Sequence, residues 1–411
     1  MGFHSEPTWW PLWPLALSGL LVALAIRSLP GTGGHPPADG FKSTPTTPIE
    51  LPGVILASFA TLSLGAVLGP EAPLIAVGSG LGILAVRLIK RDAPQRATAV
   101  IGVAGSFAAI STLLGSPIVG AFILMEASGL GAMLGVVLVP GLLAAGIGSL
   151  IFVGLDAWTG FGTFSLAVPD IPHVGSPDGS GFLWAIAIGV AAAVLATAIR
   201  RVATTVQPIV ARRMLVLTPV VGLAVGGLAI AFEEASGRSS SLVLFSGQTA
   251  IDPLIQKAAG WTVSALVLLV ACKGLAYALC LSSFRGGPIF PGMFIGAALG
   301  IALSHLPGLS MIAGTGIGIG AMTVAMLGMP LTAVLLPTLL LQADGVQLMP
   351  LVIVAVAVSY VVSARLEPAA ASTAGASTGS NDAPDAPAPG AAPEETDGRV
   401  PVATGATGTL G

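Results

Sequence analysis

Charge is scarce in this sequence. Of 411 residues, 9% are Asp, Glu, Lys or Arg, against roughly 25% in a soluble globular protein. The formal net charge is −3 and no basic run occurs, so no face for nucleic acid is available. Aromatic residues make up 5%, which leaves little for belts at a membrane–water interface. The two cysteines, Cys272 and Cys280, stand eight positions apart on one apolar run. That spacing is neither a CxxC nor a ligand pair, and two buried apolar thiols are expected. His4, His35, His173 and His305 are scattered and form no metal signature. No metal or cofactor is expected. No nucleophile–base pair appears in the apolar runs, so an enzyme is not expected either.

What is abundant is apolar. Hydrophobic residues make up 54% of the chain, and the mean hydropathy is +0.93. The runs are continuous rather than alternating, which points to helices and not to the strands of a membrane barrel. The expected fold class is an all-α polytopic membrane protein. Trp9, Trp10 and Trp13 stand where an aromatic belt would anchor a first helix to about Ile26. Arg27 follows that run and no Lys or Arg precedes it, so it reads as a retained helix rather than a signal peptide. Further apolar runs cover 51–68, 74–89, 97–114, 133–155, 182–199, 214–232, 261–281, 309–327 and 348–362, with short helices at 118–125 and after Pro330. Residues 156–180 and 233–253 read as polar loops. Arg200, Arg201, Arg212 and Arg213 read as a connection. With Lys90 to Arg96, this connection marks the cytoplasmic side by the positive-inside rule. From 367 to 411 the composition turns to Ala, Pro, Gly, Ser and Thr with scattered acids. That stretch cannot bury a core and is expected to be a disordered cytoplasmic tail. Residues 1–366 form the membrane domain, in two halves of about 1–155 and 182–366.

The chain is organised around Leu68-Gly69-Pro70-Glu71-Ala72-Pro73. A carboxylate at bilayer depth costs about 2.5–3.5 kcal/mol on insertion scales, and so usually faces a pathway. Pro70 and Pro73 predict that one helix ends near Gly69 and another starts near Glu71. A helix start presents unpaired N–H groups to an anion. Glu71 would either occupy that anion position or leave it. The bland alternative is a carboxylate capping its own helix at the membrane surface.

Two features occur twice, in the same order. Gly69-Pro70-Glu71-Ala72-Pro73 opens an apolar helix, and so does Gly287-Pro288-Ile289-Phe290-Pro291. Gly115-Ser116-Pro117 then starts a short helix, and so does Gly328-Met329-Pro330. Matched interruptions in two halves predict an inverted repeat with its site at mid-membrane.

These residues resemble the CLC family of chloride channels and proton–chloride antiporters. Gly69 to Pro73 resembles the family's G-[KR]-E-G-P motif. Gly287 to Pro291 resembles G-x-F-x-P with the Phe shifted by one, and Gly31 to Pro36 loosely resembles G-S-G-I-P. The resemblance covers about Pro7 to Arg365. It implies broken and short helices meeting at mid-membrane, and a homodimer with one anion pore per subunit. Glu71 then resembles the gating glutamate. The implied anion site comprises Thr32 or Gly33, Gly69, Ala72, Ile289 and Phe290. The family's relay position for protons falls at Ala127, with Glu126 beside it, and the family's inner tyrosine has only the tail opposite it. The chain also starts near the family's third helix. Lys273 and Arg285 either raise the local anion concentration or are balanced by Glu233 or Asp252 or snorkel to the interface.

The resulting expectation is passive, channel-like passage of chloride or a similar small anion across a bacterial plasma membrane, in a family whose members include voltage-gated channels. The rivals are a proton-coupled antiporter using Glu71 and Glu126, a cation- or solute-coupled carrier, and a non-transporting scaffold.

Overall fold

Gly, Pro and charged residues end most of the apolar runs, and the helices follow those breaks. The computed structural model describes residues 7–41, 45–128, 134–160, 166–169 and 178–366. The first half contains α1 (Leu12–Ser28), α2 (Leu51–Ser63), α3 (Glu71–Ile89), α4 (Gln95–Leu114), α5 (Pro117–Ser128) and α6 (Leu134–Thr159). The second contains α7 (Gly179–Arg212), α8 (Met214–Ser236), α9 (Ile251–Gln256), α10 (Val263–Ser283), α11 (Ile289–Leu303), α12 (Met311–Leu327) and α13 (Pro330–Leu366). Among the described residues, seven helical stretches are long and apolar enough to cross a membrane. The expected tail, 367–411, lies outside the described residues.

The repeat is visible in the packing. In the first half α3 packs along α4, and in the second α11 packs along α12. Both crossings run over glycines. A Cβ on Gly78 would strike the Gly105 carbonyl, and one on Gly105 would strike that of Gly78. The pair Gly296 and Gly318 does the same in α11 and α12. Small residues let membrane helices approach backbone to backbone where no hydrophobic force pulls them together. Nearly all of α11 and α12 is buried, which fits helices that are apolar on every side. α6 instead turns Leu143, Leu150 and Trp158 outward.

Several boundaries differ from the expectation. The run 51–68 is helical only to Ser63, because Gly65 (φ 98) turns the chain into irregular backbone before Glu71. The arginines at 200–213 are not a loop: α7 runs 34 residues to Arg212 and α8 starts at Met214. No Gly or Pro interrupts the sequence from Val190 to Gln207, and Arg is a good helix former. At 1.5 Å per residue α7 is about 50 Å long, beyond a hydrocarbon core of about 30 Å. Arg200 is half-buried on α7, and its Nη1 donates to the Ala325 carbonyl at 2.9 Å near the end of α12. Asp178 caps the other end of α7. The Gly181 N–H (2.9 Å), then the Ser180 hydroxyl, hold its carboxyl below the usual range. That stabilisation is present at neutral pH and fades as acid protonates the group. The expected last short helix and last span are joined in α13, which is kinked at Gln342 (φ 52).

Candidate functional site

Two stretches of non-helical backbone meet where α3 and α11 begin. The Gly69 N–H donates to the Gly287 carbonyl at 2.7 Å, and the Gly287 N–H donates to the Gly69 carbonyl at 2.6 Å. This isolated antiparallel bridge joins the two repeated breaks. Backbone outside a helix at membrane depth must find partners inside the protein, and here each half supplies the other's.

Glu71 lies on this bridge and is fully buried. It does not cap its own helix. Its Oε1 accepts from the Phe290 N–H at 2.8 Å, so the side chain caps the opposite helix, α11. The N–H groups of Ile289 and of Glu71 itself are also turned toward the carboxylate. Oε2 has no hydrogen-bond partner. It presses against Gly69 and Gly287, where a Cβ at either position would collide with it. The two glycines are thus required by the carboxylate's seat.

A cavity of about 50 Å³ opens beside this seat, lined in part by Gly33, Gly34, Ala72, Arg285 and Gly286. The structure separates the two candidates at the first break. Gly33 is buried and lines the cavity, whereas Thr32 is exposed in a left-handed turn (φ 50) with its carbonyl accepting from Arg285 Nε at 3.3 Å. Gly69 does not fit its expected part as an anion donor. Its N–H is committed to Gly287, because the two breaks pair as strands rather than both facing an ion.

Lys273 and Arg285 part company. Arg285 lines the cavity, with Nη1 also donating to the Phe284 carbonyl at 3.2 Å. Lys273 neither snorkels nor meets Glu233 or Asp252. It is fully buried, and its Nζ donates to the carbonyls of Leu242, Val243, Leu244 and Phe245 at 2.9–3.2 Å, over the Phe294 ring at 4.6 Å. Four consecutive carbonyls converge there because the chain leaves a 3-10 turn (Ser240–Leu242) and curls to the left-handed Phe245 (φ 58). The thiols of Cys272 and Cys280 are free and buried. Cys280 is more than filler: its Sγ accepts from the Val67 N–H at 3.2 Å.

Glu126 is a helix cap in the second half. Its two carboxylate oxygens accept from the Leu331 and Thr332 N–H groups at 2.7 and 2.6 Å, at the start of α13. Ala127 follows it at the end of α5. Glu126→Ala is expected to lower thermal stability by about 1–2 kcal/mol, the range of a lost N-cap, with Glu126→Gln losing less. Thermal unfolding in detergent reads this; equal melting temperatures for parent and Ala variant would remove the cap from the account. Tyr277 was not among the expected site residues. It is fully buried, and its hydroxyl donates to the Pro288 carbonyl at 2.8 Å. The only signal in the sequence was a tyrosine on the same helical face as Lys273 and Cys280.

The family described as Voltage gated chloride channel matches residues 9–364. YfeO of Salmonella schwarzengrund, a protein assigned to ion transport, is 32% identical over 311 residues, covering 74% of this chain and 71% of that one. YfeO of Escherichia coli O1:K1 is 30% identical over 314 residues, covering 75% and 71%. The crystal structure of a slow cyanobacterial Cl−/H+ antiporter superposes with a TM-score of 0.69 at 19% identity, over 90% of this chain and 87% of that one. That of a CLC-type fluoride/proton antiporter gives 0.63 at 18%, over 87% and 85%. With a match across nearly all the described residues, the chain belongs to the voltage gated chloride channel (CLC) family of integral membrane ion-transport proteins.

Proposed function

We propose that this chain passes chloride or a similar small anion passively, through one pathway per subunit of a homodimer, with Glu71 as its gate. The observation that carries this reading is the bond from the Phe290 N–H to Glu71 Oε1. A carboxylate occupies a helix-start donor in a buried site, which is where a dehydrated anion would sit. When Glu71 leaves, the N–H groups of Ile289 and Phe290 are free for the ion, and Gly33 and Ala72 line the adjoining cavity. Arg285 adds a positive charge to that cavity and raises the local concentration of anions. The exposed Thr32 side chain has no part in this reading. The basic connections at Lys90 to Arg96 and around Arg213 support a reading in which those ends, and the tail, face the cytoplasm of a bacterial plasma membrane. Ile118, Leu331 and Val346 turn apolar side chains outward, available to lipid or to a second copy.

Proton-coupled exchange is the alternative. It needs a titratable relay on the inner side, within reach of Glu71. Ala127 carries no proton, and both oxygens of Glu126 are committed to backbone N–H groups of α13. An imposed chloride gradient is therefore expected to drive chloride flux across protein-loaded liposomes without uphill proton movement. Uphill proton transport that Glu126→Gln abolishes would replace this reading with the antiporter.

A further inference from the structure

We propose that Tyr277 is a positioning residue for the anion site, whose hydroxyl fixes the peptide that presents the Ile289 N–H. This rests on the reading of the helix starts as anion donors. The Pro288 carbonyl and the Ile289 N–H belong to one planar peptide unit, and they point to opposite sides of it. Tyr277 donates to the carbonyl at 2.8 Å. That bond holds the plane in one orientation and polarises the N–H at the far edge, since bonds at the two ends of a peptide strengthen one another in a low dielectric. The matched peptide of the first half is held differently: the Pro70 carbonyl accepts from its own helix, from the Leu74 N–H at 3.0 Å.

The hydroxyl can impose an orientation only if it is itself fixed. Tyr277 is fully buried on α10, one turn from Lys273 and one turn from Cys280 on the same face. Lys273 is locked by four carbonyls of residues 242–245. The Phe245 N–H in turn donates to the Gly65 carbonyl at 3.1 Å, just before the first break. Cys280 takes the Val67 N–H. One face of one helix thus ties the outer turn, the first break and the second break to a common frame. Tyr277 is the member that reaches the donor peptide, and the ring cannot shift to follow a peptide that tilts.

The consequence is for affinity and selectivity. A donor held in place favours a small anion of matching radius, and a donor free to tilt accepts a larger one nearly as well. The test uses the full chain in liposomes, with chloride and thiocyanate as probes. Tyr277→Phe keeps the ring and removes the hydroxyl. It is expected to raise the half-saturating chloride concentration about tenfold, the size of one lost hydrogen bond to a charge-binding group, and to lower the chloride-to-thiocyanate rate ratio. A packing defect alone would not move that ratio. Tyr277 and Tyr360 are the two tyrosines, so 3-fluorotyrosine incorporated in a Tyr360→Phe background labels position 277 alone. Its more acidic hydroxyl is a stronger donor and is expected to lower the half-saturating chloride concentration; this arm decides if Tyr277→Phe does not fold. A folded Tyr277→Phe with parental half-saturation and ratio overturns the inference, as does a fluorotyrosine protein with unchanged chloride dependence. A parent with no saturable chloride flux overturns the function reading beneath it, and the inference with it.

Discussion

Chloride efflux from liposomes carrying Glu71→Gln is expected to run about tenfold or more faster than from the parent, and to lose most of its dependence on pH. The carboxylate competes with the ion for the Phe290 N–H. A charge-assisted hydrogen bond is worth about 1.5–3 kcal/mol, and the neutral amide holds that donor less strongly. In the parent, acid neutralises Glu71 and weakens the same bond, so flux rises as pH falls; in the variant nothing at position 71 titrates. A second variant reaches the same state by shape. Gly287→Ala places a methyl group where Oε2 lies, and also 3.0 Å from the Ala72 nitrogen. The cheapest relief is for the flexible carboxylate to swing out. Gly287→Ala is therefore expected to be fast with Glu71 still present. A purified Glu71→Gln with parental rate and pH profile would show that the gate is elsewhere.

Lys273→Met is expected to cost the fold itself. The substitution keeps about the same volume but strips the ammonium from four carbonyls, two of them, Val243 and Leu244, in buried bonds and two in part-buried ones. Each buried group left without a partner costs about 1–3 kcal/mol, and the net stability of a domain is only about 5–15 kcal/mol. Little monodisperse protein should be recovered after extraction in detergent. What is recovered should melt well below the parent. Arg in place of Lys is not expected to rescue, because a planar fork cannot aim its donors at four carbonyls converging on one point. A Met variant with parental yield and melting temperature would mean that the carbonyls find water or relax away.

These two residues also show what could be read from the sequence. Glu71 was legible because its signals are local: proline on both sides, glycine before it, and a charge where charge is scarce. The repeat was legible for the same reason, since Gly and Pro punctuate both halves in one order. The partners were not legible. Glu71 does start its own helix, as expected, but its side chain caps a helix 219 residues away. Glu126 likewise caps one 205 residues away. No local pattern announces a contact of that span. Lys273 looked like a charge in search of a counter-ion because its real partners are backbone oxygens, which every residue has. That Gly33 and not Thr32 lines the cavity depends on the run of left-handed residues from Gly31 to Gly34, in which a threonine is unexpected. The arginines after Ile199 looked like a loop because charge normally ends a span. Here α7 overshoots the apolar layer and carries them on as helix.

The bridge between Gly69 and Gly287 has a consequence for ancestry. The buried seat of Glu71 is a seam between two halves and not a feature of either. Each half contributes one helix start, and the carboxylate of the first caps the helix of the second. A half-length chain would hold neither the paired backbone nor a donor for its own carboxylate. Any forerunner of half this length could have worked only as two oppositely inserted copies. At the place matching Glu71 the second half carries Ile289, so only one of the two helix starts brings an acid to the seam.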